Sequence, residues 1–221
     1  MRPQRVYRFA PASDRAPGRL FVFLHGAGGD AHSMIPAAFK FQARFPSAAL
    51  VLPEGPRRCD TGSGRPQWFS LRGLDDANRL ERVRGVLSEV EYLVRREQVG
   101  YHVPPARTAL IGFSQGGTVA LEAVKAIPGL AGAVVAFSAR FARLPQSGDP
   151  AVHVHLVHGE HDMVVPRVHS ERAARALAAL GVPCTLDIVE RLGHALSHEA
   201  ISIGSLRLLQ GFYERRRATL H

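Results

Sequence analysis

Ser114 stands in Gly112-Phe113-Ser114-Gln115-Gly116, a G-x-S-x-G pentapeptide. The apolar run Ala109-Leu110-Ile111 precedes it, and a helix-like stretch from Thr118 to Val124 follows. A serine on a sharp strand-to-helix turn is held up for attack, and flanking glycines keep side chains out of a tight, strained backbone. The chemistry open to such a serine is acyl transfer. That reaction needs a general base, a carboxylate to orient it, and N–H donors for the developing oxyanion.

Each of these partners has a candidate. Val157-His158-Gly159-Glu160-His161-Asp162 closes one apolar run, and Gly193-His194 follows another. Asp162 and His194 are thus placed at the same ends of their runs as Ser114. Ser114 Oγ would attack, His194 would relay its proton, and Asp162 would fix the imidazole. Singly, Asp162 could be a loop hydrogen-bonder and His194 a surface histidine near a helix start. Rival bases are His158, His161, His169 and His198, with His198 the nearest substitute. The oxyanion donors would be the backbone N–H groups of Gln115, directly after the nucleophile, and of Ala27, in Leu24-His25-Gly26-Ala27-Gly28-Gly29-Asp30. A phosphate-binding reading of this loop is weaker, because it contains neither G-x-G-x-x-G nor Gly-Lys-Ser/Thr. Trp68, Phe69, Met163 and Val164, with Phe141 a further candidate, could shape an apolar substrate pocket; ordinary packing is the alternative for each.

These residues need elements to position them. Apolar, β-rich runs occur at Leu20–Leu24, Ala48–Leu52, Thr108–Gly112, Gly132–Phe137, Val152–Val157 and Thr185–Val189. Near-continuous apolar strands are the mark of a parallel sheet covered on both faces. Between them, Leu80, Val83, Leu87, Val90 and Val94 recur at helical spacing, with Asp75 or Asp76 as the expected cap. His169–Leu180 reads as another helix, stopped by Gly181 and Pro183. The alternation predicts one α/β domain over residues 1–221, with a mostly parallel central sheet flanked by helices on both faces. The Pro/Gly-rich stretch 53–66 is expected to be a loop over the site, since ligands of such sheets sit at the strands' carboxyl edge.

Composition narrows the rest. A 221-residue chain, 46% hydrophobic and 21% charged, can bury one sizeable core. No apolar run approaches the roughly 20 residues of a membrane span. The basic start Met1–Arg5 lacks a following signal-type apolar stretch, so a cytoplasmic location is expected. The formal charge of +9 comes almost wholly from arginine, Lys40 and Lys125 being the only lysines. The arginines are scattered, apart from Arg215-Arg216-Arg217, which argues for a solvated basic surface and against a specific nucleic-acid role. The charge could still favour anionic substrates or membrane surfaces. Two distant cysteines make no disulfide framework; Cys184 reads as a strand residue and Cys59 as an exposed loop residue. His153 and His155 share a strand face, a metal-capable spacing, but no third ligand is evident; no metal is expected. Exposed apolar surface near Trp68 would suit a homodimer or a lipid interface.

His25-Gly26-Ala27-Gly28-Gly29-Asp30, Gly112–Gly117, His158-Gly159 with Asp162 and Val164-Val165-Pro166, and Gly193-His194 together resemble the carboxylesterase/acyl-protein-thioesterase branch of the serine α/β-hydrolases. The order Ser, Asp, His is that of this fold. The resemblance spans about Leu20 to Leu209. Gln67-Trp68-Phe69-Ser70 with Asp75–Arg79 looks closer still to a bacterial esterase subfamily of the branch. It implies an α/β-hydrolase fold, a small-molecule ester, thioester or lysophospholipid substrate, and no cofactor. The chain has Ala27 where the acyl-protein thioesterases usually carry leucine, which favours a serine carboxylesterase acting on short-to-medium acyl esters. An acyl-thioesterase or lysophospholipase is the alternative within the branch. A non-catalytic ligand-binding protein on a hydrolase scaffold is the alternative of another class, and a peptidase or C–C bond hydrolase stays open because fold does not fix function.

Overall fold

The structure, a computed structural model, describes residues 5–13, 16–60, 62 and 64–218. Its strands are β1 (Val6–Phe9), β2 (Arg19–Leu24), β3 (Ala48–Pro53), β4 (Arg57–Arg58), β5 (Pro66–Gln67), β6 (Thr108–Phe113), β7 (Ala133–Phe137), β8 (His153–Gly159) and β9 (Cys184–Val189). Its α-helices are α1 (Ile35–Arg44), α2 (Arg79–Tyr101), α3 (Gln115–Ala126), α4 (Val168–Ala179) and α5 (His198–Ala218). Among the described residues the main sheet has seven strands in the order β1-β3-β2-β6-β7-β8-β9. All pairs are parallel except β1 with β3.

The continuous apolar runs are continuous because both faces are covered. Leu20, Val22 and Leu24 of β2 join the core under α2, α3 and α4, whereas Phe21 and Phe23 join the core under α1 and α5. Strand β6 divides the same way, with Leu110 on one face and Ala109 and Ile111 on the other. Phe21, Phe23 and Phe137 meet Phe41 of α1 edge-on at centroid distances of 5.6–6.5 Å. Such contacts add to the area term that drives burial.

Chain order in the sheet reverses between β2 and β6: β3 lies beyond β2 on one side, and β6, β7, β8 and β9 run outward on the other. A crevice opens at the carboxyl ends of strands at such a switch point. Here those ends carry the 25–29 loop and the Ser114 turn.

Several local expectations are corrected. Helix α2 starts at Arg79 behind Asn78, and neither Asp75 nor Asp76 caps it. Asp75 instead exchanges hydrogen bonds with Asn78 (2.9 and 3.2 Å), and Asp76 pairs with Arg79 and Arg140. Cys59 is buried, not exposed. The stretch 53–66 is not structureless, since β4 and β5 pair across it as a short antiparallel ribbon. Asp60 gathers this ribbon by accepting from Ser70 Oγ and Gln67 Nε2, which push its carboxyl down to about 2. Helix α5 runs through Arg215-Arg216-Arg217, whose side chains, like Met1–Gln4, lie outside the described residues. No helix among the described residues is long and apolar enough to cross a membrane.

Candidate active site

Strand β6 ends at Phe113 and α3 begins at Gln115, so Ser114 must turn the chain alone. It does so at φ 53° and ψ −115°, a left-handed φ that costs a residue with a Cβ roughly 1–3 kcal/mol. The surroundings hold it there. Ser114 N–H donates to Phe137 O of β7 (2.9 Å), and Ser114 O accepts from Thr118 N–H (3.0 Å). Helix α3 crosses β2 so closely at Gly116 that a Cβ there would collide with the carbonyls of Leu24 and His25. Only glycine permits that approach.

The structure brings Ser114, His194 and Asp162 together across the ends of β6, β9 and β8. His194 Nε2 lies 2.9 Å from Ser114 Oγ, and His194 Nδ1 lies 2.8 Å from Asp162 Oδ2. An ionised carboxylate only accepts, so Nδ1 carries the ring proton and Nε2 presents its lone pair to the hydroxyl. Phe113 packs against the ring at 5.0 Å between centroids. Asp162 is held as an acceptor from the other side too, since its Oδ1 takes the N–H groups of Val164 (2.9 Å) and Val165 (2.8 Å). Burial pushes this carboxyl up, but the bonds from His194 and Val165 outweigh burial and keep it below the usual carboxylate range.

The 25–29 loop lies directly beside the nucleophile. A Cβ on Gly26 would stand 2.9 Å from Phe113 Cδ1 and 3.4 Å from Ser114 Cβ. His25 fixes this loop, a part that the sequence did not assign. Its buried ring accepts from Gly55 N–H at Nε2 (2.9 Å) and donates from Nδ1 to Gly26 O (2.8 Å). Two fixed backbone partners select one neutral tautomer, and burial lowers its pKa in the same sense. Gln115 N–H is the first of α3 and has no partner within the helix.

Trp68 is buried, and Phe69 lines a cleft with Arg57, Ser70 and Arg82 that no triad residue lines. Trp68 is 0% exposed and Phe69 3%, so neither supplies the exposed apolar surface expected there. Trp68 is a brace: its Nε1–H donates to His25 O (2.8 Å), and its backbone N–H donates to Gln115 Oε1 (2.8 Å). Gln115 Nε2 completes the link to Phe69 O (2.7 Å). Met163 (89% exposed) and Val164 (69%) follow Asp162 directly and are exposed. Phe141 is buried in the loop after β7.

The rival histidines are engaged elsewhere. His161 is exposed near Glu160, His169 faces Arg140, and His198 Nε2 lies 3.1 Å from Lys40 Nζ. His158 is buried inside β8 behind the carboxylate. Its Nε2 lies 2.7 Å from Val165 O and 3.3 Å from Asp162 Oδ2, and its Nδ1 lies 2.7 Å from Ser170 Oγ. It therefore touches the acid, not the serine. The rings of His153 and His155 lie 6.4 Å apart between centroids, tilted by 50°, and among the described residues no three metal-ligating side chains converge. The signals for His25 and His158 were faint: each is a histidine closing an apolar strand just before glycine.

Residues 9–205 match a protein family described as phospholipase/carboxylesterase. The chain is 39% identical over 188 residues to Esterase YpfH of Escherichia coli (strain K12), covering 85% of this chain and 81% of the relative. It is 32% identical over 108 residues to an acyl-protein thioesterase 1 of Cryptococcus neoformans var. neoformans, covering 45% of each. Among solved structures, that of esterase PE8 superposes with a TM-score of 0.83 at 26% identity, over 94% of this chain and 98% of the other.

Proposed function

The chain belongs to the phospholipase/carboxylesterase family and is a serine hydrolase of carboxylic esters; from that premise we propose that it cleaves short-to-medium acyl esters through an acyl-enzyme on Ser114. The observation that carries this reading is the unbroken chain Ser114 Oγ, His194, Asp162, with links of 2.9 and 2.8 Å. His194 Nε2 would take the hydroxyl proton as Oγ bonds to the acyl carbon, and the proton would then pass to the departing alkoxide. Water, activated by the same nitrogen, would release the acid and restore the serine. Asp162, already ionised and held by two backbone N–H groups, would stabilise the imidazolium without reorganising. The N–H groups of Ala27 and Gln115 would receive the oxyanion. The position of the 25–29 loop against Ser114, and its fixing by His25, support that assignment. We place the reaction in the cytoplasm.

The test is turnover of p-nitrophenyl acetate and butyrate, with fluorophosphonate labelling of the folded protein. One label per chain at Ser114, and loss of both label and turnover in Ser114→Ala, is expected. Turnover that survives Ser114→Ala would sink the reading. A second reading, an acyl-thioesterase or lysophospholipase, is favoured by the exposed Met163 and Val164 beside the triad, which could meet a longer chain. A steep rise of kcat/KM with acyl length, on esters and thioesters alike, would select it.

A further inference from the structure

At the carboxyl edge of the sheet, cationic side chains line a second cleft of about 230 Å³ that no triad residue lines. Its polar walls are Arg140 and Arg143 from the chain just past β7, His169 and Arg172 from the first turns of α4, and Asp76; Phe141, Ala142 and Leu144 complete the lining. The volume far exceeds the roughly 15 Å³ that admits one water. Arg140 is built in: Nη2 lies 3.0 Å from Asp76 Oδ1, Nη1 donates to His169 Nε2 at 3.3 Å, and Nε donates to Phe141 O at 3.3 Å. Each terminal nitrogen keeps one further N–H. Because His169 accepts at Nε2, its remaining proton is on Nδ1 and the ring contributes a donor with no charge of its own.

The charges do not balance. Asp76 is the one carboxylate among the described residues lining the cleft; it is 74% exposed and also shared with Arg79 at 3.5 Å. Glu122, behind the loop, is engaged by Lys125 and by the N–H groups of Ala142 and Arg143. We propose that this cleft binds a compact oxyanion, a carboxylate or a phosphate, carried by the substrate or free in solution. Burial, and next the field of Arg79, lowers the Arg140 pKa against the pull of Asp76, and burial and Arg140 keep His169 neutral, so the cleft disfavours further positive charge. The cleft also shares a wall with the catalytic shell. Ser170 Oγ lies 3.2 Å from Ala139 O and 2.7 Å from His158 Nδ1, and His158 Nε2 lies 3.3 Å from Asp162 Oδ2. An anion held by Arg140 and His169 would thus bind next to Ala139 and Ser170, which are linked to Asp162 through His158.

The assignment of the anion to the substrate rests on the esterase reading, whereas the site itself does not. Binding is therefore measured on the full chain carrying Ser114→Ala, by calorimetric titration with inorganic phosphate at ionic strength held constant with sodium chloride. Saturable binding is expected, weakened about tenfold or more when Arg143→Gln and Arg172→Gln are added. Both side chains are exposed and outside the catalytic machinery, so the fold and p-nitrophenyl acetate turnover should survive. Absence of saturable binding, or equal binding with and without the two substitutions, overturns the site. Kinetics with Ser114 intact then name the source. A preference for a p-nitrophenyl ester ending in a carboxylate over p-nitrophenyl acetate, lost through KM in the double variant, assigns the anion to the substrate. Phosphate binding without such a preference assigns it to a free anion. Either supports the site.

Discussion

Asp162 uses its two oxygens for different tasks. Oδ1 is saturated by the Val164 and Val165 N–H groups, which leaves Oδ2 to take the His194 proton. An asparagine at this position keeps the shape but not the meaning. With its NH₂ toward the ring, it would force the proton onto Nε2, and no lone pair would face Ser114. Asp162→Asn is therefore expected to lose roughly 10³- to 10⁴-fold in kcat while KM changes little, as for the equivalent change in a serine protease triad. Steady-state kinetics on p-nitrophenyl butyrate check this. A loss of less than tenfold would mean that something other than Asp162 sets the tautomer of His194.

At the scale of elements, the site depends on how three irregular pieces are tied to the sheet. Gln115 does two unrelated things. Its main-chain N–H opens α3, while its side chain bonds Trp68 N–H and Phe69 O much as a neighbouring strand would. Gln115→Ala keeps the first and removes the second, leaving two buried backbone groups unpaired at about 1–3 kcal/mol each. A fall of roughly 2–4 kcal/mol in urea-unfolding stability is expected, and an unchanged midpoint would show that the 66–70 segment is held by other means. This tie also marks where the sequence stopped being readable. The runs beginning at Leu20, Ala48 and Thr108 declared themselves because both faces of each strand are buried, so every residue is apolar. The triad residues declared themselves because each follows such a run. Strand β1 did not, since an edge strand carrying Arg8 has no apolar continuity. Helix α1 is ten residues with proline near its start, too short for its period to stand out. Trp68 looked like a pocket residue because its partners, His25 O and Gln115 Oε1, lie 43 and 47 positions away, and no local pattern reports such a bond.

Across the whole molecule, the arginine excess is partly internal carpentry. Arg57 donates to the carbonyls of Trp68 and of Gly85 in α2, and Arg82 to those of Ser70, Arg72 and Gly73, so guanidinium forks tie the 68–73 segment, whose carbonyls no sheet or helix pairs, to α2. The chain carries +9 with every histidine neutral, and two of those histidines are locked neutral by the fold. His25 is buried between Gly55 N–H and Gly26 O, and His158 is buried in β8; burial lowers both pKa values below the ordinary 6.5, against the opposing pull of their acceptors. In the unfolded chain both rings titrate near that ordinary value. Below it the unfolded chain binds more protons than the native one, so stability is complete above about pH 6.5 and falls as pH drops. Asp162, lowered in the folded state, adds a loss of the same sign at lower pH. Each locked ring contributes a slope of up to about 1.4 kcal/mol per pH unit in that window, and accumulating positive charge steepens it. Urea unfolding between pH 8 and pH 5 should therefore show a plateau at the alkaline end and a steady fall from about pH 6.5 downward. His158→Gln, less stable throughout, should fall less steeply because one of the rings with a lowered pKa is gone. Stability that is flat across the whole range, or a His158→Gln protein with the parent's slope, would show that these rings are not held neutral.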